Sequence, residues 1–136
     1  MPPGLLVALA LLGAAVAGPP PRYAVVTSRR TYAGAQALCR QTYRGQLASV
    51  HSAPANEELR ALARTRTRHS LWIGAVTRRA EGRWDSRWED ASPWNYANWA
   101  PRQPCRLFPT CATLSPRDGL WRSSLCVRLR PFICQY

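Results

Sequence analysis

Two residue types in this chain have the number and spacing to do chemistry: cysteine and arginine. The five cysteines are Cys39, Cys105, Cys111, Cys126 and Cys134. No Cys-x-x-Cys occurs, and His51 and His69 are the only histidines, so a Cys/His zinc site is not expected and no metal is assigned. In an exported chain such cysteines imply disulfides, and an odd number leaves at least one without a partner inside the chain. Their spacing does not choose among the pairings. Neither histidine sits in a nucleophile motif, and there is no lysine, so the sequence points away from an enzyme.

All 19 basic residues are arginine, against 7 acidic ones, giving a formal charge of +12. The guanidinium is a planar fork of donors that grips sulfate, phosphate or carboxylate in bidentate fashion. A GC-rich gene would also turn Lys into Arg, but it would not remove the acidic residues. Such an excess attracts anionic surfaces over a Debye length of about 8–10 Å. Two arginine zones stand out. Arg60, Arg64, Arg66 and Arg68 lie on and after an expected helix. Arg78, Arg79, Arg83, Arg87, Arg102 and Arg106 fall in a stretch read as loops, where Arg83-Trp84 and Arg87-Trp88 set a cation beside an amphipathic ring.

The elements that must position these residues begin after an export signal. Leu5 to Val16 is apolar except for Gly13 and ends in Ala15-Val16-Ala17, the small residues a signal peptidase reads. No Arg or Lys precedes it. At roughly a dozen residues it is too short to span a bilayer. Residues 1–18 are therefore read as a leader, 19–22 as a short proline linker and 23–136 as one domain, with no further domain expected after Cys134.

Within the domain, Tyr23-Ala24-Val25-Val26 reads as a strand. Thr31 is a helix cap, with Tyr32, Ala35, Leu38 and Cys39 on one buried face and Gly45 ending the unit. Leu47 to Val50 reads as an alternating strand. A second helix starts near Ser52 or Pro54, with Leu59, Leu62 and Ala63 as its apolar face. Leu71 to Gly74 is a buried strand. Arg78 to Arg106 carries Trp84, Trp88, Trp94 and Trp99 in what reads as long ordered loops. Trp72, Trp99 and Trp121 are expected in the core. Three short strands close the chain: Cys111–Leu114, Cys126-Val127 and Phe132–Cys134.

The order of landmarks carries a resemblance. Leu47-Ala48-Ser49-Val50 follows a helix containing Cys39, and Leu71-Trp72-Ile73-Gly74 follows a second helix. Then come Trp88-Glu89-Asp90, Trp99-Ala100-Pro101, Cys111-Ala112-Thr113-Leu114, Gly119-Leu120-Trp121, Cys126 and Pro131-Phe132-Ile133-Cys134. This closely resembles the C-type lectin-like domain over about residues 23–136. The Arg44-Gly45 region, Trp94-Asn95-Tyr96 and Gln103-Pro104 resemble its major basic protein branch. The resemblance implies an α+β fold: two helices, mixed antiparallel sheets, a long loop region and two intradomain disulfides. It pairs Cys39 with Cys134 and Cys111 with Cys126, closing loops of about 95 and about 15 residues, worth roughly 4–5 and roughly 3 kcal/mol. Cys105 is left as an unpaired thiol, open to a covalent bond with a second copy or another protein.

Sugar-binding members of that family hold calcium with oxygen-rich triplets. Here Gln103-Pro104-Cys105 and Trp121-Arg122-Ser123 stand at the matching positions, so sulfur, a cation and a hydroxyl replace ligands. Pro109-Thr110 precede Cys111 where an acid is usual, and Asp118 is the nearby carboxylate. The expectation is no cofactor, with Arg122 where the metal would sit, as a further anion-binding residue. The resemblance also implies binding to heparin or heparan sulfate and to anionic membranes, host-defence toxicity to microbes, and secretion with storage in leukocyte granules. The branch normally carries an acidic pro-region, whereas here the leader runs directly into the domain. Two alternatives compete: a calcium-dependent lectin for neutral sugars, and an interaction protein joined to its partner through Cys105. Nucleic acid is expected only as a non-specific side activity of the charge.

Overall fold

The computed structural model describes residues 18–136; apart from Gly18, the expected leader lies outside the described residues. The elements run β1 (Tyr23–Arg30), α1 (Tyr32–Tyr43), β2 (Gln46–Leu47), α2 (Ala53–Arg64), β3 (Leu71–Ala80), β4 (Arg83–Trp88), β5 (Thr110–Leu114), β6 (Trp121–Ser124) and β7 (Arg130–Gln135). The strands form one mixed sheet in the order β1-β7-β3-β5-β6, with β2 on β7 and β4 on β3. β7 is antiparallel to β1 and parallel to β3, so the last strand sits between two that precede it. Its neighbour β1 brings the two ends of the domain together, where Arg22 and Tyr136 exchange both backbone hydrogen bonds at 2.9 Å.

The helices start as the sequence predicts. Thr31 Oγ1 accepts from the Gly34 N–H at 3.1 Å, and Ser52 Oγ accepts from the Ala55 N–H at 3.2 Å, each satisfying one of the free donors of a first turn. α1 buries Tyr32, Ala35, Gln36 and Cys39, while Leu38 is only half-buried. It is Arg44, not Gly45, that adopts the left-handed capping conformation, at φ 54°. Gly45 has another role: a Cβ there would stand 1.9 Å from the Gln135 carbonyl oxygen, so only glycine lets the chain pass so close to β7. On α2, Leu59 and Ala63 are buried, but Leu62 is 40% exposed. Asn56 joins Leu59 and Ala63 on the buried face: it donates to the Gly119 carbonyl at 3.0 Å and accepts from Trp121 Nε1 at 2.8 Å.

Both expected disulfides are present. Cys39–Cys134 ties α1 to β7, and Cys111–Cys126 ties β5 to the turn after β6, with Cα separations of 5.4 and 5.2 Å. The core lies around Trp72, Phe132 and Leu47 on one side and around Trp121, Leu59, Leu114 and Ile133 on the other.

Several expectations for the strands and loops change. β1 runs on to Arg30 instead of stopping at Val26. The strand expected over Leu47–Val50 is a two-residue β2, and all four of its residues are buried instead of alternating. Ala48 bridges two strands, accepting from Gly74 and donating to Ile133, which leaves no solvent face. Cys126-Val127 is a turn, closed by Arg128 N–H to Leu125 O at 3.0 Å, and the strand before it is β6. Finally, the stretch read as loops from Arg78 begins with a β-hairpin. β3 and β4 pair from Ala75↔Trp88 to Ala80↔Arg83, and the turn residues Glu81 and Gly82 both have positive φ, as a two-residue hairpin turn requires. The irregular loop is confined to Glu89–Pro109. It is packed inward by Trp94, Tyr96 and Trp99, whose rings lie 5.8–6.0 Å from that of Trp121. Trp72 and Trp121 are fully buried and Trp88 nearly so, whereas Trp99 is only half-buried.

Candidate anion-binding groove

The bond pair from Asn56 fixes α2 against the connection between β5 and β6. That connection is tight. Ser115 N–H reaches Leu120 O, Gly119 N–H reaches Ser115 O, and Gly119 takes φ 72° under the Arg60 side chain. Arg60 braces the same turn, bonding the Arg117 carbonyl at 3.0 Å and pairing with Glu57 at 2.8 Å. Between the end of α2 and this turn lies a groove of about 760 Å³. Arg64, Arg68, Arg117 and Arg122 line it, with the hydroxyls of Thr67, Ser70 and Ser115.

One carboxylate answers these four guanidinium groups. Arg122 donates to Asp118 twice, at 3.0 and 3.4 Å. Arg64, Arg68 and Arg117 form no ion pair among the described residues. The Arg122 hydrogen bond keeps the Asp118 carboxyl down at about 2. Replacing Arg122 by Ala is expected to return Asp118 toward its ordinary 3.8, read from carboxyl carbon shifts against pH. Because the folded pKa is depressed, the pair's stabilisation is complete above 3.8 and fades as pH falls through about 2. Solvent screening at this half-exposed pair limits it to about 1 kcal/mol.

The residues matching the family's calcium positions do not fit calcium. Ser123 N–H donates to Gln103 Oε1 at 3.0 Å, and Cys105 N–H donates to Ser123 Oγ at 2.9 Å, so both side-chain oxygens are already engaged by backbone N–H groups. Calcium takes six to eight oxygens, mostly carboxylate and carbonyl. Here Arg122 engages the nearby carboxylate, and among the described residues no three His, Cys, Asp or Glu side chains come together.

The other arginines separate in space. Arg60 is a brace, and Arg66 is exposed beyond the helix end without lining the groove. In the hairpin register Arg78 opposes Asp85, Arg87 opposes Val76 and Arg83 opposes Ala80, so these three arginines share one face. Arg79 opposes Trp84 on the other. Successive strand residues point to opposite faces, so Arg83-Trp84 and Arg87-Trp88 do not hold cation and ring together; Trp88 is buried at 3% exposure. Arg87 pairs with Asp85 at 2.9 Å, and Glu89 lines the same shallow cleft of about 340 Å³, so this face is partly neutralised. Arg102 and Arg106 are exposed in the long loop, Arg102 in a left-handed turn at φ 67°. The groove therefore unites Arg64 and Arg68 with the separately singled-out Arg122. It adds Arg117, which sequence reasoning missed; the turn-forming Pro116-Arg117-Asp118-Gly119 just before β6 was the available signal.

A polar cluster elsewhere has the outline of a nucleophile site. His51 Nε2 lies 3.1 Å from Ser49 Oγ, and His51 Nδ1 lies 2.8 Å from Asn95 Oδ1. The Ser49 hydroxyl, however, donates to Asp90 at 2.7 Å. Burial alone would raise Asp90, but hydrogen bonds from Ser92, Ser49 and Gln135 outweigh it and hold the carboxyl below its usual value. The cluster ties the long loop to the sheet, and Tyr32 adds a hydroxyl bond to Glu89 at 2.7 Å.

Comparison with known proteins shows the family and the fold. The Lectin C-type domain family model matches residues 28–136. Mouse (Mus musculus) bone marrow proteoglycan is 42% identical over 119 residues, covering 85% of this chain and 52% of the relative. Guinea pig (Cavia porcellus) eosinophil granule major basic protein 1 is 40% identical over 117 residues, covering 84% and 50%. The chain thus spans about half the length of the curated relatives it matches. Human lithostathine has the same fold at a TM-score of 0.77 and 22% identity, covering 88% of this chain and 93% of that one. With two helices, a mixed sheet and two disulfides in the family's places, and a family model matched over residues 28–136, this chain belongs to the C-type lectin domain family.

Proposed function

We propose that this chain is an exported, calcium-independent binder of sulfated glycans, heparin and heparan sulfate in particular, acting in leukocyte host defence and not as an enzyme. The observation that carries the reading is the groove in which Arg64, Arg68, Arg117 and Arg122 face one carboxylate. Sulfate matches the guanidinium fork, and the hydroxyls beside it suit sugar oxygens. The names of the relatives, bone marrow proteoglycan and eosinophil granule major basic protein, support a granule setting. Residues 1–18 would be removed on export. Anionic membranes are a second partner of the same charge, and nucleic acid an incidental one.

The test is retention of residues 19–136 on immobilised heparin under a salt gradient, with calcium and with a chelator. The expected result is steep salt dependence that ignores the chelator. Retention lost only in chelator would restore the calcium-lectin reading.

A second reading rests on Cys105. It forms no disulfide and is half-exposed, so a covalent dimer or partner complex would form there. A non-reducing gel of the secreted protein, compared with Cys105→Ser, decides it.

A further inference from the structure

Five large apolar side chains stand out from one edge of the domain. Leu107 is 84% exposed, Val127 76%, Leu129 63%, Phe108 45% and Leu125 44%. They sit on two segments, the end of the long loop and the connection between β6 and β7. Phe108 and Leu125 line one shallow cleft with Arg128 and Arg130, which brings the two segments to the same place.

The turn that carries Leu125, Val127 and Leu129 is anchored on both sides. Cys126 is bonded to Cys111, and its carbonyl accepts from the Tyr32 N–H at 3.0 Å. Arg130 is held by Ser124 Oγ at 3.0 Å and lies over the Trp72 ring at 5.7 Å. The turn is a fixed mount that presents Leu125, Val127 and Leu129 to the outside. A rigid, clustered apolar display of this kind marks a contact surface.

The charge around it selects the occupant. Arg106 precedes Leu107, Arg128 lies between Val127 and Leu129, and no acidic residue occurs after Asp118 or between Asp90 and Asp118. A second copy would set like charges against each other on a chain of +12. An anionic bilayer answers both features: apolar side chains enter the acyl boundary while guanidinium groups meet lipid phosphates.

We propose that the edge formed by Leu107, Phe108, Leu125, Val127 and Leu129, flanked by Arg106 and Arg128, docks on anionic lipid bilayers by inserting its apolar side chains. This rests on the membrane half of the proposed function and gives it a site that shares no residue with the glycan groove. It also changes the character of the binding, because insertion survives salt and charge pairing does not.

The test is sedimentation with vesicles of phosphatidylcholine containing phosphatidylserine, at low and at high salt. The protein is compared with Leu107→Ser/Val127→Ser/Leu129→Ser. The unaltered chain should stay bound in high salt, and the variant should lose that salt-resistant binding by roughly tenfold or more. All three positions are exposed, and unchanged heparin retention and near-ultraviolet circular dichroism would verify folding. Equal binding by both proteins in high salt overturns the proposal, as does release of both by salt. So does a dimer in sedimentation velocity that the variant abolishes. A chain that fails on heparin but holds vesicles in high salt refutes the glycan groove and leaves this edge standing.

Discussion

Replacing Cys39 and Cys134 together by alanine is expected to destabilise the domain by about 4–5 kcal/mol, against about 3 kcal/mol for the Cys111 and Cys126 pair. The difference follows from loop length. The first bridge closes 95 residues and the second 15, so the first removes more freedom from the unfolded chain. Cys39 and Cys134 are also fully buried in the cluster with Trp72 and Phe132, so truncating them opens a gap there. Domains of this size have net stabilities of about 5–15 kcal/mol, so the loss takes a large share of the whole. Urea unfolding followed by tryptophan fluorescence measures it. Equal midpoints for the two double variants would refute the ordering.

Converting Arg64, Arg68, Arg117 and Arg122 together to glutamine is expected to weaken heparin binding by roughly 10²–10³-fold at physiological salt. A hydrogen bond to a charged group contributes about 1.5–3 kcal/mol, and exposure reduces this to about 1 kcal/mol per arginine. The slope of log affinity against log salt should fall by roughly one for each arginine that no longer meets a sulfate. The control is Arg78, Arg83 and Arg87 converted in the same way. These also remove positive charge, but Asp85 and Glu89 already line the cleft that holds Arg78 and Arg87. The control should lose roughly tenfold or less, and affinity measured by calorimetry separates the two. Equal losses would mean that net charge, not the groove, sets the affinity.

The sequence made some of this legible and hid the rest, for physical reasons. Caps are local, so Thr31 and Ser52 announced their helices directly. The disulfides followed from family resemblance, since spacing does not determine pairing. The hairpin was missed because four arginines and two tryptophans mask a period-two pattern. In β4 the exposed positions are Arg83, Asp85 and Arg87, alternating with more buried Trp84, Ser86 and Trp88. With that strand the paired Arg-Trp motif loses its sense, because neighbours face opposite ways. Leu62 fitted the apolar spacing of α2, yet buried Asn56 reaches Gly119 and Trp121 instead. The groove itself depends on those long-range hydrogen bonds. Arg117 and Arg64 are 53 positions apart in the chain and meet only once α2 is seated on the β5–β6 turn.

The most direct measurement is a titration of a short heparin oligosaccharide into the ¹⁵N-labelled domain, following arginine side-chain Nε–H signals with chelator present. The account predicts that Arg64, Arg68, Arg117 and Arg122 shift together at the lowest ligand concentrations. Shifts confined to Arg78, Arg83 and Arg87, or none until calcium is added, would contradict it.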